Sequence, residues 1–240
     1  MREDRFIRQA DLVPHERLAE VHPIVVGVGA IGRQVAIQLA AIGAQRVTLF
    51  DPDTVEEVNV ATQGYSMGSI GEPKVEVTAL DMALVSTSIE THWYRQRFSS
   101  KGLRLCHDVN FIPVVFSCVD SMASRKIIAK ICEDEGVPLL IDGRMLAEVM
   151  RVLVVPTNSG YEQYNTTIIP DEEATQGRCT ARGTIYTANI ISGLMLHQFT
   201  RWLRGIPVDL DRMLILPSGD FFDTNKDVDA ANETEEAVSS

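Results

Sequence analysis

The sequence predicts an α/β fold with a mostly parallel sheet, helices on both faces of that sheet and a mixed C-terminal edge. Two observations carry this. Strand-like segments alternate with segments of helical period at the spacing of successive βα units, which builds a parallel sheet. The run "GVGAIG" lies between the first strand and the first long helix, where a glycine turn joins the two.

The elements follow in order. Residues 5–20 alternate apolar and polar positions at helical spacing around Pro14 and predict one or two short helices. "HPIVV" is a strand that runs into the glycine turn, and "GRQVAIQLAAIGA" is a helix closed by Gly43. "RVTLFDPD" is a second strand ending in acids, and "EPKVEVTALDMALVS" is a helix with a proline near its start. "IETHWYRQR" alternates as a strand does, and "FIPVVFSC" is a further strand. Residues 121–135 form a helix ended by Gly136, followed by the strands "VPLLIDG" and "EVMRVLVVP". Residues 157–180 show no period and are read as a long crossover loop, of a length that tends to be functional. A long helix spans 183–204 and "RMLILP" is the last strand. These elements make one domain over residues 1–222. Residues 223–240 are acidic, polar and poor in apolar side chains, the composition of a disordered tail.

The chain has 240 residues, 45% apolar and 23% charged, as ordinary globular proteins do. Its net charge is −11, of which residues 220–240 supply −6. An acidic body without a basic stripe argues against nucleic acid as a partner. No apolar stretch approaches the roughly 18 residues of a membrane span, and "MREDRFIRQADL" has no signal-peptide core, so no membrane is expected and the cytoplasm is the expected location. Cys106, Cys118, Cys132 and Cys179 form no C-x-x-C pair, which removes the usual structural zinc signature. Cys118 and Cys132 fall at apolar positions and read as small buried hydrophobes.

The chemistry gathers around the glycine run. Gly27, Gly29 and Gly32, with Ala30 and Ile31 between the last two, give G-x-G-x-x-G after a strand and before a helix. The first glycine permits the turn, the second lets backbone approach phosphate, and the third lets helix pack on strand in this Rossmann-like arrangement. Free N–H groups at the helix start attract phosphate. Asp51, 19 residues past Gly32 at the end of the second strand, is placed to take a ribose hydroxyl pair, which suits both NAD and ATP. Asp53, Asn59, Gln63 and Lys74 follow, and Asp120 ends the "FIPVVFSC" strand on the opposite side. Hydride transfer needs no lysine and no metal-type carboxylate around the phosphates. Nucleotidyl transfer does, to neutralise charge with Mg²⁺ and a cationic clamp. Taken singly, Lys74 could be a solvated lysine, and Asp120 or Ser121 could cap the helix that follows.

The segments "RFIRQ", "GVGAIG", "DPDTVEEVN", "GEPKVE", "CVDSMASR" and "CTARGTIYTANIISGLM", spread over residues 5–204, together resemble the ubiquitin-activating-enzyme superfamily in its single-domain bacterial branch of ThiF, MoeB and HesA. The resemblance implies an enzyme that uses MgATP to adenylate the C-terminal glycine of a ubiquitin-like or sulfur-carrier protein and releases pyrophosphate. It implies that Asp51 binds the ribose, that Asn59 and Lys74 contact the phosphates, and that Asp120 holds Mg²⁺. Arg8 matches an N-terminal arginine that reaches the partner subunit's ATP site, which implies a homodimer. Cys179, just before the last long helix, matches a position that can form a thioester or an acyl disulfide with the activated protein; the helix start or nearby Arg178 and Arg182 would lower its pKa. A conjugating enzyme is a possible further partner. Two departures stand out. The family's "NLNRQ"-like run reads "NVATQ", so Thr62 stands where an arginine is usual, a charge that Arg125 or Arg182 could supply instead; and the zinc-binding cysteine pairs are absent. Rival readings are adenylation of a peptide, a small molecule or a tRNA-bound carboxylate, an NAD-dependent oxidoreductase, and a non-catalytic nucleotide-binding subunit.

Overall fold

The computed structural model describes residues 5–106, 110–156, 160–170 and 183–223. Eight strands form one sheet: Val21–Val26 (β1), Arg46–Phe50 (β2), Glu90–Tyr94 (β3), Ile112–Ser117 (β4), Leu139–Leu146 (β5), Val149–Pro156 (β6), Asp211–Ile215 (β7) and Asp220–Asp223 (β8). Their order is β3-β2-β1-β4-β5-β6-β7-β8. The first five run parallel, and β6, β7 and β8 pair antiparallel, as the sequence patterns predict. The order turns at β1, with β2 on one side and β4 on the other. A crevice opens beyond the carboxyl ends of strands at such a point. All six residues of β1 are buried, the pattern of a strand covered on both faces.

Helices cover both faces. Ala30–Ile42 (α2), Lys74–Val85 (α4) and Ile185–Leu203 (α8) bury Val35, Leu39, Val75, Met82, Ile191, Met195 and Phe199 against one face. Ser100–Leu105 (α5), Met122–Asp134 (α6) and Tyr161–Thr166 (α7) bury Leu103, Ile128, Cys132, Tyr161 and Tyr164 on the other. His15–Ala19 (α1) precedes β1, and Glu57–Gln63 (α3) lies between β2 and α4. Gly43 and Gly136 terminate α2 and follow α6 in left-handed conformations, as helix-ending glycines do. Cys118 and Cys132 are buried, and burial pushes both thiols well above the ordinary range.

Three differences from the sequence reading have physical reasons. The segment read as aperiodic contains α7, six residues that bury Tyr161 and Tyr164 from one face, too short to show a repeat. α3 and α5 are missed for the same lack of length, and α3 buries no residue fully. β8 follows β7 through a tight turn, with two phenylalanines inside an acidic stretch. Arg178, Cys179, Arg182 and the tail beyond Asp223 lie outside the described residues. Among the described residues, no helix is long and apolar enough to cross a membrane.

Candidate functional site

The crevice between β1 and β4 is built on glycines that have different reasons to be glycine. Gly27 has φ +84°, and a Cβ there would stand 2.9 Å from the Cys118 carbonyl oxygen at the end of β4. A Cβ on Gly32 would stand 1.8 Å from the Gly27 carbonyl oxygen, so helix and turn could not approach as they do. Gly29 is the N-cap of α2, and a Cβ on it would meet nothing nearer than the Gln63 side chain at 3.7 Å. Packing inside the protein does not demand a glycine at 29. The bare backbone there, with Ala30, Ile31 and Gly32 opening the helix, leaves room for a ligand to come close.

Asp51 follows β2 and is buried. Its Oδ2 accepts from the Val28 N–H (2.8 Å) and its Oδ1 from the Asp53 N–H (2.9 Å). Burial raises its pKa, opposed by these two N–H groups and then by Lys74. Each carboxylate oxygen retains a lone pair for a further donor.

α3 and α4 bring the next side chains in. Asn59 Oδ1 accepts from the Glu56 N–H (3.0 Å) in a capping box, and its amide nitrogen has no partner among the described residues. The Gln63 Oε1, beside Gly29, is buried with no hydrogen-bond partner among the described residues. A buried acceptor in that state is costly unless something outside the chain donates to it. Lys74 opens α4 with 7% of its surface exposed. Its nearest carboxylate is Asp53, with Nζ 3.6 Å from Oδ2. One long contact to an exposed partner leaves a buried ammonium short of counter-charge. Thr62 is exposed, and its hydroxyl turns back to donate to Val58 O (3.1 Å).

Asp120 lies three residues past β4, directly after Val119, whose side chain would stand 3.2 Å from a Cβ on Gly27. It is exposed and has no partner among the described residues. The helix behind it is capped by Ser121, whose hydroxyl accepts from the Ser124 N–H (3.2 Å), so Asp120 is not spent on capping. Among the described residues, no group of three His, Cys, Asp or Glu side chains gathers to hold a metal. A magnesium ion needs only one or two carboxylates when nucleotide phosphates supply other ligands, so Asp120 fits that role.

Arg125 does not compensate for Thr62. Its guanidinium is buried, ion-paired to Asp142 and bonded to the Val119 and Gly143 carbonyls. Arg8 is exposed in a short turn at Ile7–Gln9, far from this crevice. Its neighbour Gln9 donates to Ile42 O (3.0 Å), and Arg5 donates to Val85 O (2.8 Å), at the C-terminal ends of α2 and α4. The glycine turn is at the other end of α2, whose 13 residues span about 20 Å. Sequence reasoning missed two features here. Tyr65, buried beneath the glycine turn, donates to Val28 O (2.6 Å). Asp142 sits on β5 between Arg125 and Arg144. Neither has a periodic or motif signal.

A family model described as "ThiF family" matches residues 4–233. Among curated proteins, the sulfur carrier protein ThiS adenylyltransferase of Escherichia coli (strain K12) is 25% identical over 172 residues, covering 71% of this chain and 66% of that protein. Ubiquitin-like modifier-activating enzyme 5 of Drosophila grimshawi is 28% identical over 135 residues, covering 51% of this chain and 33% of that protein. The chain thus spans just under two thirds of the first relative and one third of the second. Among solved structures, Escherichia coli MccB with ATP superposes with a TM-score of 0.71 at 15% identity, covering 91% of this chain and 70% of that one. The crystal structure of selenomethionine PaaA gives 0.71 at 19% identity, covering 92% and 72%. At these identities the superpositions speak for the fold.

Proposed function

From the premise that the chain belongs to the ThiF family, we propose that it uses MgATP to adenylate the C-terminal carboxylate of a small carrier protein. The observation that carries this is Asp120, an exposed carboxylate without a partner among the described residues, on the segment after β4 that packs against the glycine turn at the switch point of the sheet. An oxidoreductase using NAD would have no use for it.

In this reading Asp51 accepts the ribose hydroxyls on the lone pairs its backbone bonds leave open. The Gly29–Gly32 backbone, Asn59, Gln63 and Lys74 hold the phosphates, with Asp53 steadying Lys74 until nucleotide replaces it. Asp120 would hold Mg²⁺, and the ion would supply neutralisation of charge on the phosphates. The substrate carboxylate oxygen attacks the α-phosphorus, the bond to the β-phosphate oxygen breaks, and pyrophosphate leaves with that electron pair. The product is an acyl adenylate. Lys74 stabilises the charge that develops on the departing pyrophosphate.

Thr62 leaves the site one cation short of the related pattern. Arg8 of a second copy supplies a cation in a homodimer, since Arg8 lies a helix length from its own glycine turn. The substrate is a ubiquitin-like or sulfur-carrier protein ending in glycine. The Cys179 thiolate then attacks the acyl carbon of the adenylate, the acyl–phosphate C–O bond breaks, and AMP leaves with its electron pair; a conjugating enzyme would receive the acyl group from the resulting thioester.

ATP–pyrophosphate exchange tests this reading. Exchange is expected to appear only with a Gly-ended carrier and to vanish when its last glycine is removed. Cys179→Ala should spare exchange and abolish any thiol-sensitive conjugate. Exchange supported by short peptides but by no carrier would overturn the carrier assignment while leaving adenylation in place.

A further inference from the structure

Two consecutive peptide units in the glycine turn are each pinned by a buried side chain, and only one pin belongs to the nucleotide reading. Asp51 holds the Val28 N–H (2.8 Å). In a trans peptide the carbonyl points the opposite way. The Gly27 carbonyl therefore faces away from Asp51 and toward Gly32, which it crowds to 1.8 Å from the position of a Cβ. The next unit is held by Tyr65, whose hydroxyl donates to Val28 O (2.6 Å). The partner N–H of that unit belongs to Gly29. It must point away from Tyr65, and it has no partner among the described residues.

Without this bond the orientation would be weakly defined. Flipping the Val28–Gly29 peptide changes φ of residue 29, and glycine accepts that change at little cost. The property that lets backbone approach a ligand also lets it turn the wrong way. Tyr65 is well fixed to prevent this. It is 3% exposed and packs with Val55 and Val77. Its ring lies under the Arg33 guanidinium (5.0 Å), itself held by Asp81 (2.8 Å). Its oxygen also meets Thr78 Oγ1 (3.1 Å) on α4, the helix that opens with Lys74. Burial lifts its pKa well above the ordinary tyrosine range, so the hydroxyl stays a donor. Phenylalanine would serve packing equally well. Only the hydroxyl reaches the turn.

We propose that Tyr65 is a positioning residue that aims the Gly29 N–H at the phosphates of the bound nucleotide. This rests on the nucleotide reading above. The test compares a non-hydrolysable ATP analogue with Mg²⁺ against adenosine, which has no phosphate, in the full chain and in Tyr65→Phe. The variant is expected to weaken the analogue about tenfold, the loss of one well-aimed hydrogen bond to a charged group, and to leave adenosine unchanged. Equal weakening of both ligands, or of neither, would overturn the inference. Thr78→Val, which removes only the second hydroxyl, should bind both as the original chain does; a loss matching that of Tyr65→Phe would also overturn it. A measurement on the unsubstituted protein is independent of how the variants fold. The Gly29 amide resonance should move with the analogue and stay in place with adenosine, and an unmoved resonance would count against the inference. If the unsubstituted chain binds neither ligand, the nucleotide reading falls and takes the inference with it; binding that Tyr65→Phe leaves intact sinks the inference alone.

Discussion

Asp120→Ala is expected to lower ATP–pyrophosphate exchange by a factor on the order of 10²–10³, the usual consequence of removing one preorganised electrostatic contact from a transition state. Asp120 has no part in holding the described fold together. It pairs with nothing among the described residues, and Ser121 performs the capping. Its removal should therefore cost within about 0.5 kcal/mol of stability, as exposed substitutions away from special features do. A lost activity with an unchanged melting temperature then isolates chemistry from folding. The Mg²⁺ dependence of any residual exchange should also move to higher concentration. Lys74→Ala is expected to depress exchange comparably without moving the Mg²⁺ dependence, since its ammonium acts on phosphate directly. Full exchange in Asp120→Ala would remove the metal assignment.

Asp142→Ala is expected to be the most damaging substitution to stability, at about 3–5 kcal/mol, because it strands two buried guanidiniums. Asp142 is fully buried, paired to Arg125 and to Arg144 (2.7 Å), and accepts from the Tyr164 hydroxyl (3.1 Å). Arg144 continues to the Thr167 carbonyl (2.8 Å) and hydroxyl (3.0 Å) after α7. Arg125 continues to the Val119 carbonyl, one residue before Asp120. One carboxylate thus ties β5 to the strand end that carries Asp120 and to the end of α7. At about 2–4 °C per kcal/mol for a chain of this size, the melting temperature should fall by about 10 °C. Burial alone would raise the Asp142 pKa, but the two guanidiniums together outweigh it and hold the carboxyl below the ordinary range. A depressed folded-state pKa contributes stability that is whole above the unfolded value of about 4 and is lost as pH falls below it. Asp142→Asn should therefore shed part of the acid-dependent loss seen by chemical denaturation below about pH 4. A variant as stable as the original would show that the two arginines find other partners.

The parts legible in sequence were those written in local signals. The β1 strand, the glycine turn, Asp51 and the Gly43 stop each sit in one short window, and the parallel-then-antiparallel sheet follows from their succession. α3, α5 and α7 escaped because six or seven residues cannot display a helical repeat. Arg125 illustrates a different limit. Five residues past Asp120, it reads as a candidate phosphate contact, yet α6 turns it inward to a carboxylate 17 positions away on β5. Which face of a helix meets which strand is a tertiary fact. Tyr65 belongs with it, since nothing in "TQGYSMGS" shows that a hydroxyl lies beneath the glycine turn. Gln63 was named from its place in the motif, and the structure adds the physical reason to expect a donor: a buried acceptor unmatched among the described residues.

The central claim is that the crevice between β1 and β4 binds MgATP. The most direct measurement is the thermal shift of the protein with MgATP, with ATP plus EDTA, and with NADH. A ligand at 100 times its Kd adds about 2.7 kcal/mol, which at this size is roughly 5–10 °C. A rise with MgATP that shrinks with EDTA, and none with NADH, is the expected result. A rise with NADH alone would contradict the account from Lys74 and Asp120 onward.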